Sequence, residues 1–402
     1  MLFPTPHAPA VSFSLAKVFS VELSDGANRF AEITLPATDY ELLDALDKLQ
    51  MKVGENPQWG IYEHTHFQYL EVFVNECTLY ELNSLSRKLG SMDQAEIGAF
   101  EGLFKMAMNN REGPMSVSDL FTYANSVGCC HVVSEATDDA GLGRFYAENG
   151  FVAELDGIPD SVFEKLDFGK IGKEMRQAEG GVFTRFGYVL QNDTLKPINE
   201  EVGKAPQSPD YTLRLLVARY PFETGGDPEI TTTLDFPASE AAKIAALEHI
   251  GAASWEEVIF TVEDSAIPGF PEDMYGDSFE ELNDYTQTVK EIQDSGELTK
   301  FKAVVTAKGC TTIREALQIA EQLDQYIFEP KVSTAEDVAR DEIQASVSVQ
   351  SIDALMKHVN LYAYGRELIE EYGSKLTSFG LVTPREGLDL EAVNQAGPQL
   401  FM

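Results

Sequence analysis

The sequence predicts an α+β protein built as an array of small α/β and helical domains, in two tandem copies of a three-part unit. Three observations predict it. Blocks of sequence recur about 200 residues apart. Inside each block, alternating apolar and polar stretches give way to helical apolar spacing. The chain has 402 residues, enough for two to three domains of roughly 150 residues each.

The recurrence is visible residue by residue. LPATDYELLDALDKL from Leu35 matches FPASEAAKIAALEHI from Phe236, and LYELN at Leu79–Asn83 matches FEELN at Phe279–Asn283. Residues 167–189 and 360–382 align without a gap, and seven of the 23 positions are identical. They are Gly172/Gly365, Glu174/Glu367, Gly180/Gly373, Thr184/Thr377, Phe186/Phe379, Gly187/Gly380 and Val189/Val382. The offset falls from 201 to 193 along the chain, as small loop deletions would produce. The expected division is a tail 1–16, three parts at 17–88, 89–129 and 130–195, a linker 196–210, three parts at 211–285, 286–325 and 326–386, and a tail 387–402.

Each first part opens with VFSVEL and RFAEITL, or LRLLVARY and ITTTLDF, whose alternation reads as a hairpin, with SDGAN and ETGGD as the turns. A helix follows, with Thr38 or Ser239 as N-cap and Asp39, Glu41 or Glu240 near its positive end. WGIYEH or EVIFTVED adds a third strand. The second part is helical: LYELNSLSRKLGSM, AEIGAFEGLFKMAMNN and VSDLFTYANSV repeat apolar residues at three- and four-residue spacing. The third part starts with a strand at Cys130–Val133 and ends in a helix at Phe168–Gln177 and a strand at Val182–Leu190. The linker KPINEEVGKAPQSPD, with three Pro, reads as flexible chain spanning about 20–23 Å.

Charge sets the function classes. There are 66 Asp plus Glu against 30 Lys plus Arg, a formal net charge of −36. Direct binding to nucleic acid needs Lys and Arg to displace counterions, so it is excluded, and an anionic membrane surface is disfavoured on the same ground. Disordered acidic chains are poor in aromatics, whereas this one has 24 Phe and 15 Tyr. The four Cys show no disulfide spacing, the N-terminus lacks a basic signal-peptide region, and no apolar run approaches the ~18 residues of a membrane span. A cytoplasmic protein is expected.

Candidate chemistry is sparse. His64 and His66 could present two imidazoles from one strand, but a solvated strand end is the plainer reading. Cys129, Cys130 and His131 are too closely spaced for a tetrahedral zinc, so a buried thiol is expected. GLGRFYAENGF, Gly141–Phe151, has a Gly-x-Gly, but Asp138 and Asp139 before it would repel a phosphate. Neither a P-loop, an H-E-x-x-H nor a G-x-S-x-G is present. No catalytic, cofactor or metal residue is therefore expected. The dense acidic run is different. From Glu256 to Glu297 there are 13 acids against one base, Lys290, with Trp255, Phe260, Phe270, Tyr275, Phe279 and Tyr285 interleaved. A folded negative surface is expected. Acids at three- and four-residue helical spacing lie ~5–6 Å apart, similar to neighbouring phosphates on a strand. The expected surface comprises Glu63, Glu71, Glu76, Glu81, Asp93, Glu96, Asp138 and Asp139 in the first copy. In the second it comprises Glu256, Glu257, Glu263, Asp264, Glu272, Asp273, Asp277, Glu280, Glu281 and Asp284.

LDGIPDSVFEKLDFGKIGKEM at Leu155–Met175, followed by GGVFTRFGYV, resembles the C-terminal region of the ArdA antirestriction family. Leu155, Pro159, Asp167, Phe168, Glu174 and Met175 fit its pattern, while Gly172 stands for the usual Ala and Lys173 for the usual Arg. LYAYGREL, Leu361–Leu368, fits the helix better through Arg366, Glu367 and Leu368. VFSVELSDGANRFAEITLP and TLYELNSLSRKL resemble the family's opening hairpin and middle helix. The resemblance implies an elongated array, two tandem ArdA-like units, that mimics double-stranded DNA. It implies a non-enzymatic inhibitor of a type I restriction-modification enzyme, acting through the basic DNA-binding surface of that complex. Another defence nuclease such as a CRISPR effector, which has a basic nucleic-acid channel, and a metal-dependent carboxylate enzyme stay open as alternatives. The resemblance also implies a dimer contact in the third part. Phe168, Ile171 and Met175, and Leu361, Tyr364 and Leu368, form helical stripes that pack on their own sheets or meet each other across the copies. The second arrangement predicts a monomer with an internal pseudo-twofold near the third parts, with further self-association open.

Overall fold

A computed structural model describes residues 16–110, 115–155, 157–198, 202–219, 230–271, 278–346, 349–385 and 388–390. The first half runs β1 (Phe19–Ser24), β2 (Phe30–Leu35), α1 (Asp39–Leu49), β3 (Gln58–His64), α2 (Glu71–Val74), α3 (Leu79–Gly90), α4 (Gln94–Asn110), α5 (Val117–Asn125), β4 (Cys130–Val133), α6 (Asp139–Glu148), α7 (Asp160–Phe163), α8 (Phe168–Glu179), β5 (Val182–Thr184) and β6 (Gly187–Gln191). The second half runs β7 (Leu213–Arg219), β8 (Thr231–Phe236), α9 (Glu240–Ile250), β9 (Val258–Ser265), α10 (Phe279–Asp294), α11 (Leu298–Lys308), α12 (Ile313–Glu321), β10 (Tyr326–Glu329), α13 (Ala335–Ser346), α14 (Val349–His358), α15 (Leu361–Glu371), β11 (Lys375–Thr377) and β12 (Gly380–Pro384). Helices and small antiparallel sheets make this the mixed α+β class that the sequence predicts.

The described strands form four three-stranded sheets. Two have the order β2-β1-β3 and β8-β7-β9, and two have β4-β6-β5 and β10-β12-β11. The strand alternation is realised in β2, where Ala31, Ile33 and Leu35 are buried and Phe30, Glu32 and Thr34 face outward. The register of β1 on β3 shifts between Ser20 and Val21, and that of β7 on β9 between Arg214 and Leu215. Thr38 closes a capping box with Glu41 at the start of α1, and Ser239 accepts from the Ala242 amide at the start of α9. Buried Asn83 bonds both backbone groups of Ala37, and Asn283 bonds both of Ala238, so each pins the turn before these helices.

The cores revise the expected parts. Sheet β1–β3 and helices α3–α5 share one core, which includes Phe19, Leu35, Leu82, Phe100 and Phe121. Sheet β7–β9 and α10–α12 share another, which also reaches Tyr326, Phe379 and Val382. The expected boundaries 88/89 and 285/286 fall inside α3 and α10. Each of these helices starts at a capping box, at Thr78 or Ser278, and runs unbroken because its apolar face serves sheet and helices at once. The third units, starting at β4 and β10, have small cores of their own, around Leu142 and Tyr188 and around Leu368 and Leu381. The expected strand Val182–Leu190 is two strands, because Gly187, at φ 122, reverses the chain between β5 and β6.

The linker and tail also differ from expectation. Described residues of 196–210 lie against the first half: Ile198, Val202 and Ala205 pack on its core, and the Gly203 amide donates to Ser84 Oγ. Apolar side chains thus turn the expected spacer into a strap. Leu390, expected in a tail, is 2% exposed and packs on the second half's core. The expected tail 1–16 lies outside the described residues except for Ala16.

The largest correction concerns how the halves meet. Met175 packs in its own unit's core, and Tyr364 and Leu368 pack in theirs. Phe168 packs against Phe163 and under Arg144. Ile171 and Leu361 are half-buried on the same helices. These stripes are used locally because glycines bring the helices close. A Cβ on Gly172 would lie 1.8 Å from the Asp139 carbonyl oxygen, and one on Gly365 1.7 Å from that of Ala335. Links between the halves run instead from α1, from the residues flanking it and from Arg29. Tyr40, 1% exposed, enters the second half's core, and its hydroxyl donates to the Tyr211 carbonyl. Lys302, also 1% exposed, pairs with Asp44 at 2.9 Å and Asp47 at 3.0 Å. The joint is head-to-tail, not a pseudo-twofold between third units.

Candidate acidic interface

Helix α10 carries five acids of the run: Glu280, Glu281, Asp284, Glu291 and Asp294. Phe279, Leu282, Tyr285, Thr286, Val289 and Ile292 are buried. At 100° per residue, this leaves Glu280, Asp284, Gln287, Glu291 and Asp294 on the opposite face, and all five are exposed. Four carboxylates therefore line a rise of about 21 Å on a rigid helix. Glu291 and Asp294 belong to the expected acidic run but are not among the surface residues singled out from it. A helical projection of residues 279–294 alone would have found them, because the apolar positions already fix the outward side.

Several expected acids serve the fold. Glu81 and Glu281 are capping-box acids that bond the Thr78 and Ser278 amides. Glu281 also meets Arg314 at 3.0 Å, which holds its carboxyl below the usual range. Asp93 and Glu96 bond each other's backbone amides at the start of α4, and Asp138 caps α6. Asp139 makes a two-pronged pair with Arg176, at 2.8 and 3.1 Å, which lowers its pKa. Glu63 is exposed but bonded to Lys17, whose ammonium with the Ser20 hydroxyl holds its carboxyl down. Glu257 pairs with Arg219 at 3.4 Å. Glu71 stands 3.6 Å from His64. Glu76, Glu256, Glu263, Glu280 and Asp284 face solvent. Glu272, Asp273 and Asp277 lie outside the described residues.

Asp264 contradicts the expectation outright. It is 7% exposed, because Thr38 of the first half and Tyr211 close over it at the joint between the halves. Its carboxylate accepts from Thr38 of the first half at 2.7 Å, from Tyr211 at 2.8 Å and from the Ser265 amide at 2.9 Å. Burial raises its pKa, against the lowering effect of those donors. A carboxyl with a raised folded-state pKa takes up a proton in the folded protein before the unfolded chain does. Its contribution to stability therefore grows as pH falls from neutral through the raised pKa, and levels off below the unfolded value near 3.9. Asp264→Asn is expected to make the change in thermal midpoint between about pH 7 and about pH 4 less favourable to the low-pH end. An unchanged difference in a pH series of melts would refute this.

The lesser candidates resolve as structure. Gly141 and Gly143 lie inside α6, and a Cβ on Gly143 would meet the Phe168 carbonyl oxygen at 1.9 Å, so the Gly-x-Gly serves helix packing. Cys129 is buried, and burial pushes the Cys130 thiol up to about 12. His131 is exposed on β4. Among the described residues no group of three or more His, Cys, Asp or Glu could hold a metal ion, and no helix is long and apolar enough to cross a membrane. A cleft of about 660 Å³ between the halves is lined by Glu41, Glu263 and Asp264, but also by Lys17, Arg87 and Arg214. Its charge is mixed, unlike that of α10. No protein-family model and no curated protein matches this chain.

Proposed function

We propose that this protein is a non-enzymatic mimic of double-stranded DNA that occupies the basic DNA-binding surface of a bacterial defence complex inside the cell, a type I restriction-modification enzyme being the expected target. The observation that carries the reading is the outward stripe of Glu280, Asp284, Glu291 and Asp294 on α10, within a folded chain of net charge −36. A surface that expects phosphates presents Arg and Lys in a fixed array. Carboxylates on a rigid helix meet such an array without first paying the ordering entropy of a flexible acidic tail. Exposed Glu76 and Glu256 add to the charge, and Glu22 and Glu32 stand directly opposite each other across β1 and β2. Like charges so placed weaken a sheet, and a negative outer face is a reason to keep them.

The same reading takes the chain as two tandem copies of one ArdA-like unit in an elongated array. The shared strand orders, the shared register shifts, and the matching bonds of Asn83 and Asn283 support it.

The test is binding to purified restriction complex at several salt concentrations, with duplex DNA as competitor. Affinity is expected to fall at least about tenfold between about 50 and 200 mM salt, and DNA is expected to displace the protein. Salt-insensitive binding that DNA leaves intact would overturn the mimicry. Capture of a guide-RNA nuclease in place of the restriction complex would move the target but keep the mechanism.

A further inference from the structure

We propose that Lys302 is the charge key of a one-way joint: the second half holds a buried lysine whose counter-charges are supplied by helix α1 of the first half, so the two halves fold as one cooperative body. Lys302 is 1% exposed, and its ion partners among the described residues are Asp44 and Asp47. An ammonium withdrawn from water is tolerated when carboxylates compensate it and is strongly unfavourable when they are removed. Asp44 is itself 6% exposed and is shared with Lys48 at 2.7 Å. Both lysines lie over the ring of Phe379. The Gln50 side chain donates to the Phe379 carbonyl at 3.3 Å, and Arg29 donates to the Pro330 carbonyl. One end of the first half thus reaches the α11 surface, the β11–β12 turn and the segment after β10.

The direction of the joint follows from the aligned positions. α4 packs on β5 and β6 as α11 packs on β11 and β12, with Phe100 and Phe301 both fully buried. The residue after each phenylalanine is Glu101 in the first half and Lys302 in the second. Glu101 is charge-paired inside its own half, with Lys105 at 2.8 Å and Arg185 at 3.3 Å. Arg185 also covers the Phe186 ring, the counterpart of Phe379. The position aligned with Arg185 in the second half is Ser378, which offers no counter-charge. On α9, the positions aligned with Tyr40, Asp44 and Asp47 are Ala241, Ala245 and Glu248, and the neighbouring Ile244 is 54% exposed. The first half therefore carries the donor helix without the vacant lysine, and the second carries the lysine without the donor helix. Both surfaces of this heterologous contact are used within one chain, so neither is left free to recruit a further molecule.

The inference is independent of what the protein binds, so its readouts are the shape and unfolding of the full-length chain. Wild-type protein is expected to unfold in a single calorimetric transition. Lys302→Glu places a carboxylate against Asp44 and Asp47, and is expected to split the transition in two and to increase the radius of gyration by small-angle scattering. The reversed set D44K/D47K/K48E/K302E restores opposite charges across the joint and is expected to recover one transition and the wild-type radius. Lys302→Glu melting as wild type does would overturn the proposal. So would a reversed set that behaves no better than Lys302→Glu, including the case in which Lys302→Glu fails to fold.

Discussion

Replacing Glu280, Asp284, Glu291 and Asp294 together by their amides is expected to weaken binding to the target by about 2–4 kcal/mol, roughly 30- to 1000-fold. The size follows from counting. An exposed ion pair is worth up to about 1 kcal/mol, and the four carboxylates share one face of α10. None of the four side chains is buried, so the fold is expected to survive, with an unchanged circular dichroism spectrum. Any single amide is expected to cost less than about tenfold. Isothermal titration of the four single variants and the combined variant measures this. One single amide that abolishes activity while the other three are silent would favour a metal or catalytic site over a distributed surface.

Tyr40→Ala is expected to lower the unfolding free energy by about 3–5 kcal/mol. The ring is 1% exposed in the second half's core and stands edge-on to Tyr211, with centroids 5.8 Å apart. Truncation leaves a cavity that rigid neighbours on both halves cannot close, and it orphans the Tyr211 carbonyl that the hydroxyl serves. Tyr40→Phe keeps the ring and loses only the hydrogen bond, so about 1 kcal/mol is expected. Urea unfolding followed by tyrosine fluorescence and by circular dichroism separates the two. A loss below about 1 kcal/mol for Tyr40→Ala would mean that the halves meet without depending on this residue.

The two expectations sit at opposite ends of what a sequence discloses. The α10 stripe was legible in outline, because the acids and the apolar positions are local and the helical repeat relates them directly. Glu291 and Asp294 needed only that projection. Asp264 was not legible. It belongs to the same acidic run as Glu263, and only the packing of the first half over that face of the strand, through Thr38, buries one while the other stays exposed. Glu81, Asp138 and Glu281 were legible as cap residues from the hydroxyl or acid at the head of each helix, a local signal that counting acids overlooks.

By itself, the sequence determined what short-range physics controls. The alternation in β1, β2, β7 and β8, the caps at Thr38 and Ser239, the helical stripes and the acidic excess all follow from neighbours within a few residues. Tertiary structure decided which surfaces meet. The stripes on α8 and α15 look like a contact between copies, but glycines at 172 and 365 let each helix sink into its own unit first. Tyr40, Asp44 and Asp47 look like ordinary residues of an amphipathic helix, yet they form the joint. Their partners Lys302 and Tyr211 lie far along the chain, and pairing over such distances depends on shape and desolvation that no local pattern encodes.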